Sequence, residues 1–275
     1  IITRLNNGKW GVVIGYGYNN STGRPGLLVL DIETGESMVS GDGLEVTTGS
    51  GDTGLGQIEG WDYSKNGNTD WFFAGDLQGK VWKFDLSSNN PSNWAVAYGG
   101  GPLYQAEDAA GDPQSITGGI ALGSEPKTGK LWLFFGTGRY LETPDPQLDD
   151  EQSWYGIMDG TALSGRTLLK ERILTNVSHS NGTEGRTVSS SAANDMAGFK
   201  GWFIDLPDER ERIVSSPRLV GTTLVVNSII PDSNVCNPEG DGYVMAVDPY
   251  HGGRLKYHFF DISGDESFNQ DDGVT

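Results

Sequence analysis

Pairs of short apolar runs, each pair joined by a turn, recur along this chain and limit the folds that it can adopt. The four pairs are Gly11–Gly17 with Gly26–Gly35, Trp71–Asp76 with Gly79–Leu86, Lys130–Gly138 with Gln152–Asp159, and Leu224–Ile230 with Gly242–Asp248. In a typical pair the first run carries Gly near its end, and the second reaches an Asp before a polar turn. Such runs are typical of antiparallel hairpins, and no long segment has helical periodicity. The pattern predicts an all-β chain.

The spacing of these pairs favours a β-propeller. Hairpin units that recur at roughly 50–80 residues are typical of blades, which bury their faces against neighbouring blades. A β-sandwich is the alternative, but its turns recur more evenly, about every 8–12 residues. The 41 glycines among 275 residues supply the many tight turns of such a fold. We expect a propeller domain over residues 1–260 and an acidic tail over residues 261–275.

Charge and composition exclude several classes of function. The net charge of −18 argues against nucleic acid, whose phosphates this surface would repel. No stretch approaches the roughly 20 apolar residues that span a membrane. No secretory signal opens the chain, and both ends look like cuts through a longer protein. Cys236 has no partner in this sequence, so it is a free thiol, a small residue without a role, or one half of a disulfide to a cysteine outside the fragment.

The segment Asp62–Asp70 has the oxygen spacing of a calcium loop. Oxygen side chains stand at positions one, three and five, Gly67 at position six and a carboxylate at position nine, as in the first three-quarters of an EF-hand loop. Position twelve is Phe73, inside an apolar run that predicts a buried strand, so the segment is not an EF-hand. The predicted Ca²⁺ ligands are the side chains of Asp62, Ser64, Asn66 and Asp70 and the backbone carbonyl of Asn68. The alternative is a hairpin turn that binds nothing.

Longer polar connections separate the hairpins. Residues 143–151 are acidic and interrupted by Pro, which predicts an exposed loop. Residues 176–194 are rich in Ser, Thr and Gly, which predicts a mobile surface loop. A second stretch, Asp261–Asn269, repeats the one-three-five-nine oxygen spacing but has Glu266 where the Gly should be. For this stretch we favour a solvated acidic tail over a second ion site.

Several segments together resemble the PilC/PilY family of type IV pilus-associated proteins. The strongest is the calcium loop followed by Phe73–Leu86, which is similar to a strand pair of that family except for Lys83, where Arg is common. The other matching segments, in the expected order, are Gly15–Gly17 with Leu28–Gly35, Phe135–Tyr140 with Gln152–Gly156, and Gly201–Leu206, Glu211–Val214 and Ile230–Pro231 with Cys236. Together they cover most of residues 10–250.

The resemblance implies a modified seven-bladed β-propeller at the C-terminal end of a large secreted protein. If both ends of this sequence are cuts, the propeller is incomplete at its termini. It implies a location at the cell surface and pilus tip, or in association with the outer membrane or periplasm. The implied partners are minor pilins and a host or abiotic surface. The implied roles are pilus assembly, adhesion and twitching motility, with Ca²⁺ controlling extension against retraction. Because Ser64 and Asn66 are neutral, only two carboxylates remain, and we expect an affinity on the order of micromolar or weaker.

The sequence does not predict an enzyme. His179, His251 and His258 stand alone without metal-ligand spacing, and no Gly-x-Ser-x-Gly elbow is present. The competing enzyme is a pyrroloquinoline-quinone dehydrogenase, which is also a propeller that uses calcium. Its blade turns are similar to Leu30–Gly35 and Val247–Gly252 of this sequence. Such enzymes repeat a Trp motif more regularly and often carry adjacent cysteines. A third possibility is a periplasmic scaffold propeller without calcium.

Overall fold

The computed structural model describes residues 1–41, 43–46, 53–178, 182–232, 239–262, 264 and 266–268. Within these residues the chain forms strands and three short 3₁₀ turns, at Pro91–Asn93, Tyr98–Gly100 and Asp145–Gln147, and no α-helix. No helical segment of the described chain is long and apolar enough to cross a membrane. The predicted all-β class is confirmed. Cys236 and His179 lie outside the described residues.

The strands of the first half are β1 (Ile2–Arg4), β2 (Trp10–Gly15), β3 (Gly26–Asp31), β4 (Leu44–Glu45), β5 (Glu59–Trp61), β6 (Trp71–Gly75), β7 (Lys80–Asp85), β8 (Ala95–Val96), β9 (Tyr104–Gln105), β10 (Ala121–Ser124) and β11 (Leu131–Gly136). Those of the second half are β12 (Ser153–Met158), β13 (Leu163–Ser164), β14 (Lys170–Arg172), β15 (Leu174–Ser178), β16 (Glu184–Val188), β17 (Gly201–Asp205), β18 (Arg218–Val220), β19 (Thr223–Asn227), β20 (Ile230–Pro231), β21 (Gly240–Asp241) and β22 (Val244–Val247).

The chain divides into two compact units. The first comprises Ile1–Leu122 and Gly160–Gly165, and the second comprises Gly123–Asp159 and Arg166–Thr275. This division does not test the expected boundary between a propeller domain ending at residue 260 and an acidic tail, which stays a prediction.

The first unit contains two sheets that share one apolar core. One sheet has the strand order β1-β2-β3-β4, and the other has the order β13-β9-β7-β6-β5, with β8 also paired to β7. Their common core includes Leu5, Val13 and Val29 from the first sheet region and Phe72 and Phe84 from the second, all fully buried. Burying each such side chain contributes about 1.5–3 kcal/mol. This core fixes the position of the loop between β5 and β6.

The second unit is built around a five-stranded sheet in the order β10-β11-β12-β17-β14. Only the last two residues of β10, Gly123 and Ser124, belong to this unit. Trp154 and Trp202 pack edge to face with ring centroids 5.6 Å apart. Gly156 lies directly beneath Trp202, where a Cβ would come within 2.4 Å of the indole ring. The remaining sheets are β18-β19-β22 and the two-stranded β15-β16 and β20-β21.

All four hairpin pairs predicted from the sequence form as antiparallel strand pairs. They are β2 with β3, β6 with β7, β11 with β12, and β19 with β22. The last pair is interrupted by the short β20-β21 hairpin.

One turn geometry follows three of the strands. The backbone N–H groups of Asp31, Glu125 and Asp248 each donate to the carbonyl five residues later, at 2.9, 2.8 and 3.0 Å. The carbonyl of each accepts from a glycine four residues later, and these glycines, Gly35, Gly129 and Gly252, have φ of 73°, 71° and 67°. The left-handed conformation explains why Gly closes this recurring turn.

The prediction of an exposed loop over residues 143–151 is wrong at Asp145, which is fully buried. One oxygen of its carboxylate accepts from the N–H groups of Leu141 and Glu142, at 2.7 and 2.9 Å, and the other pairs with Arg139 Nε at 3.0 Å. The acidic composition predicted exposure because a buried carboxylate is costly, but these donors offset that cost.

The same segment is closed by the guanidinium of Arg212. This buried side chain donates to the carbonyls of Arg139, Asp145 and Leu148, at 2.9, 2.6 and 2.7 Å. Three carbonyls of one loop therefore converge on one positive charge.

The prediction of a loop over residues 176–194 is wrong for residues 176–178 and 184–188, which belong to the β15-β16 hairpin. Residues 179–181 lie outside the described chain. Arg186 in β16 is buried and pairs with Glu211 and with Asp208, the latter at 2.6 Å. Its guanidinium also lies 3.7 Å from the ring centroid of Tyr243. The Ser, Thr and Gly content predicts a loop. The strand β16 is instead held by the ion pairs of Arg186 with Asp208 and Glu211, which lie more than 20 residues later in the chain.

Candidate metal site

The segment Asp62–Asp70 is the connection of the β5-β6 hairpin. Trp61 and Trp71 are the last paired residues of the two strands, so the nine residues between them form the loop. The N–H of Asp70 donates to the carbonyl of Trp61 at 3.0 Å and closes it. Phe73 is fully buried in β6, as the sequence predicted, and is not available as a twelfth-position ligand.

The first half of the loop wraps around the carboxylate of Asp62. Its two oxygens accept from the N–H of Asn66 at 3.2 Å and of Gly67 at 2.8 Å, and Asn66 Oδ1 accepts from the N–H of Asn68 at 2.8 Å. Gly67 has φ of 85° and Lys65 has φ of 57°. The loop therefore makes the sharp turn that position six of a calcium loop requires.

The second half of the loop is organised by Asp70, which is only 3% exposed. Its carboxylate accepts from the backbone N–H of Ser64 at 2.7 Å and from Asn6 Nδ2 at 2.9 Å. Among the described residues it has no Lys, Arg or His within ion-pair distance. A buried carboxylate normally has a positive partner or binds a metal.

The side-chain oxygen of Asn68 is an unsatisfied group in the same loop. Asn68 Oδ1 is buried and accepts no hydrogen bond. An unpaired buried acceptor costs about 1–3 kcal/mol. Carboxylate and amide oxygens are the ligands that Ca²⁺ prefers, so the residues present fit this ion. The sequence predicts that Asn68 acts through its backbone carbonyl, which stays a prediction; the orphaned Oδ1 is a further oxygen of the same residue.

Hydrogen bonds link the predicted ligands into two groups, Asp62 with Asn66 and Asn68, and Asp70 with Ser64. The carboxylate of Asp62 accepts from the N–H groups of Asn66 and Gly67, whereas that of Asp70 accepts from the N–H of Ser64. Asn66 Oδ1 accepts from the N–H of Asn68, and the side chain of Ser64 is exposed. The described residues contain no group of three or more His, Cys, Asp or Glu side chains placed to hold a metal. A site in this loop must therefore use neutral oxygens as well, consistent with the low charge expected from the sequence.

Sequence reasoning missed the contacts that hold the loop in place. Tyr63 stacks on Trp71, and Lys83 Nζ lies 3.3 Å from the centroid of the Trp71 ring. Asn6 belongs to the turn between β1 and β2, more than 60 residues away, and no local pattern marks it. Only Lys83 stood out, as a departure from the family motif.

The second stretch, Asp261–Asn269, shares part of this geometry. The carboxylate of Asp261 accepts from the N–H of Gly264 at 2.7 Å and of Glu266 at 2.9 Å, and Glu266 has φ of 63°. Ser263, Asp265 and Asn269, the other oxygen positions, lie outside the described residues. The stretch stays a prediction.

These hairpins, turns and sheets are those of a β-propeller domain, and comparison with known proteins identifies its family. The family described as the PilY1 beta-propeller domain matches residues 1–185. The chain therefore belongs to the PilY1 β-propeller family of type IV pilus proteins, as the resemblance implied.

Two curated relatives and one solved structure agree with this family assignment. A type IV pilus biogenesis factor PilY1 homolog of Xylella fastidiosa is 36% identical over 270 residues, which are 96% of this chain and 21% of that protein. Type IV pilus biogenesis factor PilY1 of Pseudomonas aeruginosa is 30% identical over 303 residues, covering 95% of this chain and 26% of that protein. The crystal structure of the Pseudomonas aeruginosa PilY1 C-terminal domain matches with a TM-score of 0.82 at 28% identity, covering 98% of this chain and 62% of that one.

The chain thus spans about a fifth to a quarter of these curated relatives. Their names describe pilus biogenesis factors and not enzymes.

Proposed function

We propose that this chain is the calcium-binding propeller domain of a type IV pilus biogenesis factor. In this proposal the parent protein acts at the cell surface and pilus tip, where it contacts minor pilins and a host or abiotic surface. Calcium at the Asp62–Asp70 loop shifts the balance between pilus extension and retraction, and so affects twitching motility and adhesion. Family membership supports the pilus role.

The observation that carries the calcium proposal is the buried carboxylate of Asp70, which has no ion pair among the described residues, beside the orphaned oxygen of Asn68. A bound Ca²⁺ would supply a positive charge to the carboxylate of Asp70 and a partner to the Asn68 oxygen. The chain's own part is to hold Asp62 and Asp70 in place through the N–H groups of Ser64, Asn66 and Gly67 before the ion arrives. Such preorganisation lowers the cost of closing the loop on the ion.

Calorimetry of the purified chain tests the binding step. We expect one site with a dissociation constant on the order of micromolar or weaker for Ca²⁺, abolished by Asp62→Ala and by Asp70→Ala. Asp108→Ala is the matched control, because Asp108 also caps a turn through two backbone N–H groups, those of Ala110 and Asp112, but lies outside the loop. No heat with millimolar Ca²⁺ in the wild type, as in Asp70→Ala, contradicts the proposal.

The cellular step needs the same substitutions in the whole parent protein. We expect Asp62→Ala and Asp70→Ala strains to change pilus number and twitching, and the Asp108→Ala strain to match wild type. If both loop variants lose calcium binding but keep wild-type pilus number and motility, calcium at this loop does not control the pilus.

A further inference from the structure

The side chain of Asn6 lies against the candidate calcium loop although it is outside the β5-β6 hairpin. It sits in the turn between β1 and β2. Its Nδ2 lies 2.9 Å from Asp70 Oδ1, 3.2 Å from the carbonyl of Leu86 and 3.4 Å from the carbonyl of Thr69. Its Oδ1 faces Asn68 Nδ2 at 3.5 Å. One amide therefore contacts two predicted ligands, the residue between them and the residue that follows β7.

These contacts decide how two ligands are presented. Asn6 donates to one oxygen of Asp70 and holds that buried carboxylate in one orientation. Because the nitrogen of the Asn68 amide faces Asn6, its oxygen is the atom left without a partner, buried in the loop. Asn6 thus satisfies the half of the Asn68 amide that cannot bind a cation and leaves free the half that can.

Backbone and hydroxyl contacts join the same two elements. The N–H of Thr69 donates to the carbonyl of Arg4 at 2.9 Å, and Thr69 forms a parallel bridge with Leu5. The hydroxyls of Thr3 and Thr69 lie 2.7 Å apart. Leu5 is fully buried in the core that the two sheets share. The end of the loop is therefore attached to the first sheet as well as to its own hairpin.

We propose that Asn6 is a positioning residue of the calcium site, and that calcium binding tightens the attachment of the β1-β2 turn to the loop. The inference rests on the proposed function, since it requires that the loop binds calcium. Linkage makes the effect reciprocal: if the ion strengthens these contacts, their loss weakens ion binding by the same factor.

The test measures calcium affinity by calorimetry and amide hydrogen exchange with and without Ca²⁺, on the full chain. Removing a hydrogen bond to a charged group costs about 1.5–3 kcal/mol, so we expect Asn6→Ala to weaken calcium binding roughly 10-fold or more. In the wild type, calcium should slow exchange at the N–H of Thr69, and Asn6→Ala should lose most of that gain. A purely structural residue would lower stability without changing this calcium-dependent protection.

Asn7→Ala is the matched control, because Asn7 lies in the same turn but contacts Lys9 and Met38 and not the loop. We expect its calcium affinity to equal that of the wild type. If Asn6→Ala does not fold, Asn6→Gln, which keeps the amide one methylene further out, must still bind calcium more weakly than the wild type. Wild-type affinity in a folded Asn6 variant overturns the role of Asn6 and leaves the proposed function intact, whereas no binding in the wild type overturns both.

Discussion

The ring of Tyr63, the second residue of the candidate calcium loop, is stacked on Trp71 with centroids 4.2 Å apart and planes inclined by 24°. Trp71 is also in contact with the ammonium of Lys83. An indole in such contacts is sensitive to the position of the loop beside it.

We therefore predict that calcium changes the tryptophan emission of the chain and that Tyr63→Ala removes most of this change. The stack contributes about 0.5–1.5 kcal/mol, and its loss disconnects the loop from Trp71. Fluorescence titration with Ca²⁺ measures the effect. Tyr140→Ala, at another exposed tyrosine, serves as the control and should respond like the wild type. An undiminished response in Tyr63→Ala would mean that another tryptophan reports the ion.

Gly67→Ala should destabilise the loop through backbone strain alone. With φ of 85°, Gly67 adopts a conformation that costs other residues about 1–2 kcal/mol, and nothing within 4 Å would clash with an added Cβ. We expect weaker calcium binding and a lower Tm. Gly111→Ala, at φ of 90° with equal space, should lower Tm alike but leave calcium binding unchanged. Equal calcium affinity in both variants would show that the turn at Gly67 is dispensable.

Asp76, fully buried in the β6-β7 turn, gives a pH prediction. Burial raises its pKa above 3.8, although hydrogen bonds from Trp82, Lys80 and Gln78 oppose the shift. As pH rises, the unfolded chain loses this proton first, so the contribution of Asp76 to stability is present below pH 3.8 and lost as pH rises through the folded pKa.

As pH rises from 3.8 through the pKa of Asp76 in the folded chain, the wild type should therefore lose stability relative to Asp76→Asn, which does not titrate. Urea unfolding at a series of pH values measures the difference. A gain of wild-type stability with rising pH would show that the three hydrogen bonds outweigh burial.

Glu211→Ala should strongly destabilise the second unit. Glu211 is 1% exposed and pairs with the buried Arg186. Removing one partner of a buried ion pair costs about 3–5 kcal/mol because the other charge is left behind. Exposed Glu209 provides the control, where alanine should change the free energy of unfolding by less than about 0.5 kcal/mol. Similar unfolding midpoints for the two variants would argue that Asp208 alone satisfies Arg186.

The features that could be predicted from the sequence are local ones. The four hairpins are predictable because the strand and turn signals of each pair fall within about 30 residues. The loop was found because its oxygens are spaced within nine residues, and its placement between two strands followed from the apolar run containing Phe73.

What escaped prediction depends on partners far apart in the chain. The burial of Asp145 depends in part on its local donors, but the closure of its loop depends on Arg212, 67 residues later. The β15-β16 hairpin is held by Glu211, and Asn6 reaches Asp70 across 64 residues. Buried polar pairs leave no periodic signal, since each partner alone has the composition of a surface loop.

Arg212 and the Asp62–Asp70 loop illustrate two ways to supply a positive charge. Around residues 139–148, carbonyl oxygens converge on a guanidinium that the polypeptide itself carries. Under the proposed function, the oxygens of the Asp62–Asp70 loop take their charge from the medium. The positive charge of Arg212 is part of the chain and is present in any medium. A calcium ion bound by the loop would exchange with the medium, so a chelator or a low calcium concentration can remove that charge without breaking a covalent bond.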